Sequence, residues 1–269
     1  MHRQILSLSM LLVLLVGMAA WAQDSNQTIP ITQPPTRRIE PPPADASPQD
    51  LEDRGDQLRG EKAYLDSIDY YQAAMKRLPK GKESSVVCNK LGMAQVQMGH
   101  FDDAKRTFEK AVKLDHDNAN ALNNLGSMHY HSKKYGRSIK YYKRAISLQP
   151  DTASFHANLG SAYLGHKDLD KADAEYLQAL QLDPNIFETR SNVGVTALMS
   201  PEDRAKYSYL LAKMYAKNGQ LDRSLLYLRR AMEEGYKEIS NVYQDEEFAR
   251  LRKDERFAEL MKQPPVAIP

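Results

Sequence analysis

Gly92, Gly126, Gly160 and Gly194 stand 34 residues apart, and nothing else in the chain restricts its fold as tightly. The same period joins Leu91, Leu125 and Leu159. It also joins Ala111, Ala145 and Ala179, then Leu114, Leu148 and Leu182, and the aromatics Phe108, Tyr142 and Tyr176. Pro150 and Pro184 share one phase. Several residue classes on one period mean a chain built as an array of like units, each burying its apolar face against the next.

Within a unit the apolar residues recur at helical spacing, as in Leu122, Leu125 and His129, then Ile139, Tyr142, Ala145, Ile146 and Leu148. Two amphipathic helices per unit follow, with a turn such as Lys133-Lys134-Tyr135-Gly136 between them. A glycine inside a helix costs about 1 kcal/mol relative to alanine, so its return at one phase needs a packing reason. Close approach of the paired helix supplies it. The small Ala104, Ser138 and Ala172 suit the opposing contact, and the following aromatic is expected to fill the space between units.

This register resembles the tetratricopeptide-repeat family, whose pattern W-x-x-L-G-x-x-Y, A-x-x-x-F, A, P spans 34 residues. Residues 119–152 and 153–186 match best, through Leu159, Gly160, Tyr163, Ala172, Tyr176, Ala179 and Pro184 in the latter. Residues 85–118 match with His116 in place of proline, and 48–81 through Gly55, Leu58, Tyr71, Ala74 and Pro79. A further unit lies near 205–238, with Leu211, Ala212, Tyr215, Ser224, Leu228 and Ala231, after a surplus segment over 187–200 expected to hold a degenerate helix. Cys88, Leu122 and His156 stand where the family has tryptophan. The resemblance implies an all-α fold, a right-handed superhelical solenoid of antiparallel helix pairs over 48–238. Residues 239–262 are expected to close it as a helical cap, with stripes of Phe248 and Leu251, then Phe257, Leu260 and Met261, before the tail 263–269.

The ends of the chain have a different character. His2 and Arg3, the apolar run from Ile5 to Ala20 and the small-residue site Ala20-Trp21-Ala22 read as a signal peptide over 1–22, hence a secreted or periplasmic protein. The run is also about long enough to stay as an uncleaved anchor; cleavage would leave no stable membrane anchor. Pro30, Pro34, Pro35, Pro41, Pro42 and Pro43 make residues 23–47 a disordered, partly polyproline II linker. Lys+Arg 37 against Asp+Glu 35 is too balanced for a protein devoted to nucleic acid.

The sequence contains no H-E-x-x-H, G-x-S-x-G, P-loop or G-x-G-x-x-G. His129 and His131 lie about 200° apart on a helix and cannot share a metal. Asp115, Asp117 and Asn120 lack the glycine of a calcium loop. The single cysteine, Cys88, flanked by Val87 and Leu91, reads as a buried thiol. No catalytic residue, metal or cofactor is therefore expected. Asn124, Asn158 and Asn192 share the repeat phase on the face opposite Leu122 and Leu125. The resemblance places that face on the concave side, where carboxamides can donate to and accept from an extended peptide. Lys90, Asn120 and His131 join the stripe, and Lys206, Lys213 and Lys217 make its C-terminal end basic. A protein or peptide is the expected partner of a non-catalytic scaffold. The alternatives are a self-associating structural envelope protein forming homo-oligomers, and an enzyme or enzyme subunit.

Overall fold

The computed structural model describes residues 41–187 and 200–266, and among these every regular element is a helix. The helices come in consecutive antiparallel pairs: α1 (Pro48–Gly60) with α2 (Tyr64–Arg77), α3 (Lys82–Gln97) with α4 (Phe101–Leu114), and α5 (Ala119–His131) with α6 (Tyr135–Leu148). Then follow α7 (Ala153–His166) with α8 (Leu169–Leu182), and α9 (Pro201–Lys217) with α10 (Leu221–Glu233). Polar caps set the starts. Ser47 and Asp50 form a capping box on α1, Asn118 accepts from the Ala121 N–H at α5, and Ser200 accepts from the Asp203 N–H ahead of α9. None of the described helices is long and apolar enough to cross a membrane.

The repeat glycines have one structural reason. A Cβ at Gly55 would lie 2.7 Å from the Tyr71 ring, at Gly92 2.5 Å from Phe108, at Gly126 2.8 Å from Tyr142 and at Gly160 2.7 Å from Tyr176. Each ring comes from the second helix of the glycine's own pair. The aromatic therefore locks the two helices of its own unit, and at Tyr176 it also meets Tyr207 of the next pair, as expected of a residue filling the space between units. The small residues are buried beside it as expected, Ala104, Ser138 and Ala172 being fully covered. Ser138 Oγ donates to the Gly126 carbonyl at 2.9 Å. Gly194 lies outside the described residues. Ala111, Ala145 and Ala179 are fully buried, as are Cys88 and Leu122 at the family's tryptophan position. Leu148, in contrast, is 37% exposed, so that phase is not a core position throughout.

First helices of successive pairs touch one another, α1 with α3, α3 with α5, α5 with α7 and α7 with α9, forming one layer. The second helices stand outside it. α9 also packs on α8, so the last pair continues the stack although residues 188–199 intervene. Its junction is tied by Phe187 and Tyr207, both set edge-on to the Tyr176 ring, and by Tyr227 Oη donating to the Phe187 carbonyl at 2.7 Å. The degenerate helix expected over 187–200 falls almost wholly outside the described residues, as does the signal peptide.

Both ends of the array are covered. The last residues of the proline-rich segment are held against α2, because Arg77 donates to the carbonyls of Pro43 and Ala44 at 3.0 Å and also to that of Ala46. At the other end Phe248 and Leu251 are fully buried, and Phe257 and Leu260 nearly so. The first part of this cap, expected to be helical, is not α-helical. It forms 3₁₀ turns at Glu246–Ala249 and Leu251–Lys253, followed by α11 (Glu255–Lys262). Phe248 and Leu251, one on each turn, are buried in the same core cluster, while Arg252 turns back to donate to the carbonyls of Val242 and Asp245 at 2.9 and 2.8 Å.

Candidate binding face

The inner layer presents one stripe per first helix. At 100° per residue, Val86, Asn89, Lys90, Met93 and Gln97 share a face of α3, and Asn120, Asn123, Asn124, Ser127 and His131 share the equivalent face of α5. On α7 the stripe is Ser154, Asn158 and Ser161.

The polar groups of this stripe are largely spent on each other. Asn124 Nδ2 donates to Asn89 Oδ1 at 2.9 Å, joining α5 to α3, and Asn158 Nδ2 donates to Asn123 Oδ1 at 3.0 Å, joining α7 to α5. Asn123 Nδ2 reaches Asn124 Oδ1 at 3.4 Å and links the two bonds. Lys90 does the same at the preceding junction, donating to Glu52 Oε1 at 2.6 Å and to Asp56 on α1. At the last junction Tyr209 Oη donates to Asp245 Oδ2 at 2.8 Å, with the cap in the place of a next repeat. The partners lie 38, 35, 35 and 36 residues apart in order along the chain. Each of these junctions thus carries a staple across its inner face.

The expected site residues separate accordingly. Asn158 is buried and Asn124 half-buried, both with donors engaged, while Asn192 lies outside the described residues. Asn120 and His131 are exposed, His131 lying 4.2 Å from the Phe101 ring centre. Lys213 is not the free cation expected for a basic groove end, since its Nζ is 3.2 Å from Asp245 and 3.5 Å from Glu247. Two carboxylates of the cap neutralise it instead. Lys206 and Lys217 stay exposed, Lys206 beside Glu202 at 3.5 Å. Missing from the expectation were Asn89, Asn123, Glu52 and Asp245 as partners, and the apolar Val86 and Met93, 45% and 36% exposed on the inner face of α3.

Electrostatics follow these contacts. Burial alone would raise the Asp56 carboxyl, but the bonds from Lys90 and from Tyr71 (2.7 Å) outweigh it and hold the group below its ordinary value. Burial, then the Asp245 carboxylate, push the Tyr209 phenol upward. Cys88 is buried, its thiol donates to the Thr107 carbonyl at 3.2 Å, and burial raises it to about 11, which keeps it protonated. His129, stacked on Tyr141 at 5.2 Å, is a core residue whose pKa is lowered by burial and by Lys105 and Arg137. His156 is bridged between Glu175 at 2.7 Å and the Pro150 carbonyl at 2.8 Å. Among the described residues no group of three or more His, Cys, Asp or Glu side chains could hold a metal ion.

Residues 89–151 and 134–185 match the family described as tetratricopeptide repeat. Among solved structures, the chain is similar to TTC0263, a tetratricopeptide-repeat protein of Thermus thermophilus, with 21% identity, a TM-score of 0.50 and coverage of 80% of this chain and 100% of that one. It is also similar to MamA from Desulfovibrio magneticus RS-1, at 18% identity and a TM-score of 0.48, covering 70% of this chain and 94% of that one. A third is the first such domain of Spaghetti (RPAP3) bound to an HSP90 peptide, at 21% identity and a TM-score of 0.39, covering 44% and 91%. No curated protein matches the chain. With its 34-residue register, its stacked helix pairs and the family match over residues 89–185, the chain carries tetratricopeptide repeats.

Proposed function

We propose that the chain is a non-catalytic scaffold that holds an extended segment of a partner protein along the inner face of α3 and α5. The observation that carries this reading is the pair Val86 and Met93, exposed one above the other beside the exposed Gln97, Asn120 and His131. Apolar side chains flanked by hydrogen-bonding groups suit a peptide that buries alternate side chains and leaves its backbone polar groups to be met. The asparagines at the repeat phase then shape the floor instead of reaching for the ligand. Lys206 and Lys217 remain available to an acidic end of that ligand, with Lys213 held by the cap. The pattern over residues 1–22 supports a role outside the cytoplasm, and an exported product that retains Trp21 by mass would refute cleavage after Ala22.

The test is selection of 12-residue peptides on the full chain, followed by affinity measurements on two variants. Met93→Glu on the inner face should weaken the selected peptides at least tenfold, whereas Leu169→Glu, at an exposed site on the second-helix side, should change them less than twofold. Peptides that bind Met93→Glu as well as the parent would refute the inner-face reading.

A further inference from the structure

From residue 118 to residue 150 the chain contains no aspartate or glutamate, yet it holds Lys133, Lys134, Arg137, Lys140, Lys143 and Arg144. All six are exposed, on α6 or in the turn just before it. At 100° per residue, Arg137, Lys140 and Arg144 fall within a narrow arc of the outward side of α6 and form one straight basic ridge roughly 10 Å long, with Lys133 in the left-handed turn ahead of it. Arg144 alone of the four meets a carboxylate, Asp117 at 3.9 Å; Lys133, Arg137 and Lys140 have no ion pair among the described residues.

This arrangement works against the helix that carries it. Like charges three and four apart repel. In addition, the first turns of α2, α4, α8 and α10 carry aspartate where the helix dipole favours it, while that of α6 has no acid and bears Arg137 after Lys134. α6 thus lacks the first-turn acid of the other second helices, and among the described residues its ridge has one carboxylate within reach, Asp117 at 3.9 Å from Arg144.

The ridge is also narrow. The second helices on either side expose mixed charge, Asp102, Asp103 and Glu109 among Arg106, Lys110 and Lys113 on α4, and Asp170 beside Lys171 on α8. A flat anionic surface such as a lipid bilayer would press against those carboxylates together with the ridge. An acidic polypeptide segment, one chain wide, can follow the ridge and avoid them.

We propose that the outer face of α6 is a second docking surface, separate from the inner face, for an acidic segment of a partner protein. The probe is a fluorescein-labelled 12-residue peptide of alternating glutamate and glycine, titrated by anisotropy at low salt against the full chain. Arg137→Glu with Lys140→Glu should weaken binding at least tenfold. Lys110→Glu with Lys113→Glu on α4, an equal change in net charge, should alter it less than twofold. If the first variant fails to fold, Arg137→Gln with Lys140→Gln should still weaken binding about threefold or more, consistent with partial loss of charge-assisted contacts. Equal losses for the α4 and α6 pairs would overturn the proposal. So would absence of peptide binding, whether the chain then binds phosphatidylglycerol vesicles or self-associates through the ridge.

Discussion

The middle of the array and its ends solve the same packing problems with different chemistry. Inside the first four pairs a glycine faces an aromatic ring; in the last, the equivalent positions are Ala212 and Leu228, both fully buried. Between first helices the middle junctions are joined by neutral carboxamides, while the first is joined by Lys90 with Glu52 and Asp56, and the last by Tyr209 and Lys213 with Asp245 and Glu247. The turn inside a pair is left-handed at Lys62, Lys133 and Lys167 but at glycine in Gly99 and Gly219. What persists along the chain is therefore a set of volumes and bond positions, and residue identity is free to change where those are kept.

The largest effects are expected on exchanging the small residues. Alanine normally stabilises a helix by about 1 kcal/mol over glycine. Gly160→Ala should instead destabilise by about 1–3 kcal/mol, because Tyr176 is fully buried, its hydroxyl bonded to Ser161 Oγ at 3.0 Å, and the ring cannot move aside. Ala212→Gly should also destabilise, by about 1 kcal/mol. Gly136→Ala, at a site with nothing within 4 Å, should be neutral or stabilising. Denaturant melts showing that Gly160→Ala stabilises the chain would dissolve the distinction.

The staples come next. Asn158→Ala removes a donor and leaves the buried Asn123 carbonyl oxygen without it, at an expected cost of about 1–3 kcal/mol. Tyr209→Phe should cost less, about 0.5–1 kcal/mol, since Lys213 still pairs with Asp245. A larger loss at Tyr209 would place the tighter junction at the cap.

Smaller effects belong to the turns. Lys167 has φ 69° and Gly219 φ 74°. Lys167→Gly should gain about 1 kcal/mol by releasing a strained left-handed residue, and Gly219→Ala should lose a similar amount. Melting shifts of the same sign for the two would contradict that account.

The charged first junction should respond to acid and the carboxamide junctions should not. Asp56 has a folded pKa below its ordinary value, so its contribution is present above the unfolded carboxylate range and lost as pH falls through the folded value. Amide exchange in α1 should therefore rise below about pH 4 relative to exchange in α5. Asp56→Asn should remove most of that difference, and an unchanged acid response in the variant would locate the titration elsewhere.

Much of this was legible in the sequence because it depends on period. A residue class returning every 34 positions reports helix pairing without reference to any contact, and Gly92, Gly126 and Gly160 carried it, with Gly55 three residues out of phase. The contacts themselves were less legible. The ring under each glycine lies 16 residues on, a distance set by how the two helices cross. The staples join residues 35 apart in a 34-residue repeat, because adjacent first helices meet along neighbouring rows of side chains; reading Asn124 and Asn158 at strict period hid Asn89 and Asn123 as their partners. Lys213 looked free because its carboxylates come from a cap whose backbone is 3₁₀ and whose approach no repeat phase encodes.

The inner-face asparagines hold repeat to repeat. A double-mutant cycle on Asn123 and Asn158, with both single alanine variants and the double variant measured by equilibrium denaturation, probes this role. The two side chains are bonded at 3.0 Å and buried, so a coupling of about 1 kcal/mol or more is expected, the double variant losing clearly less than the sum of the singles. Strictly additive losses, with coupling near zero, would contradict it and return these carboxamides to the ligand.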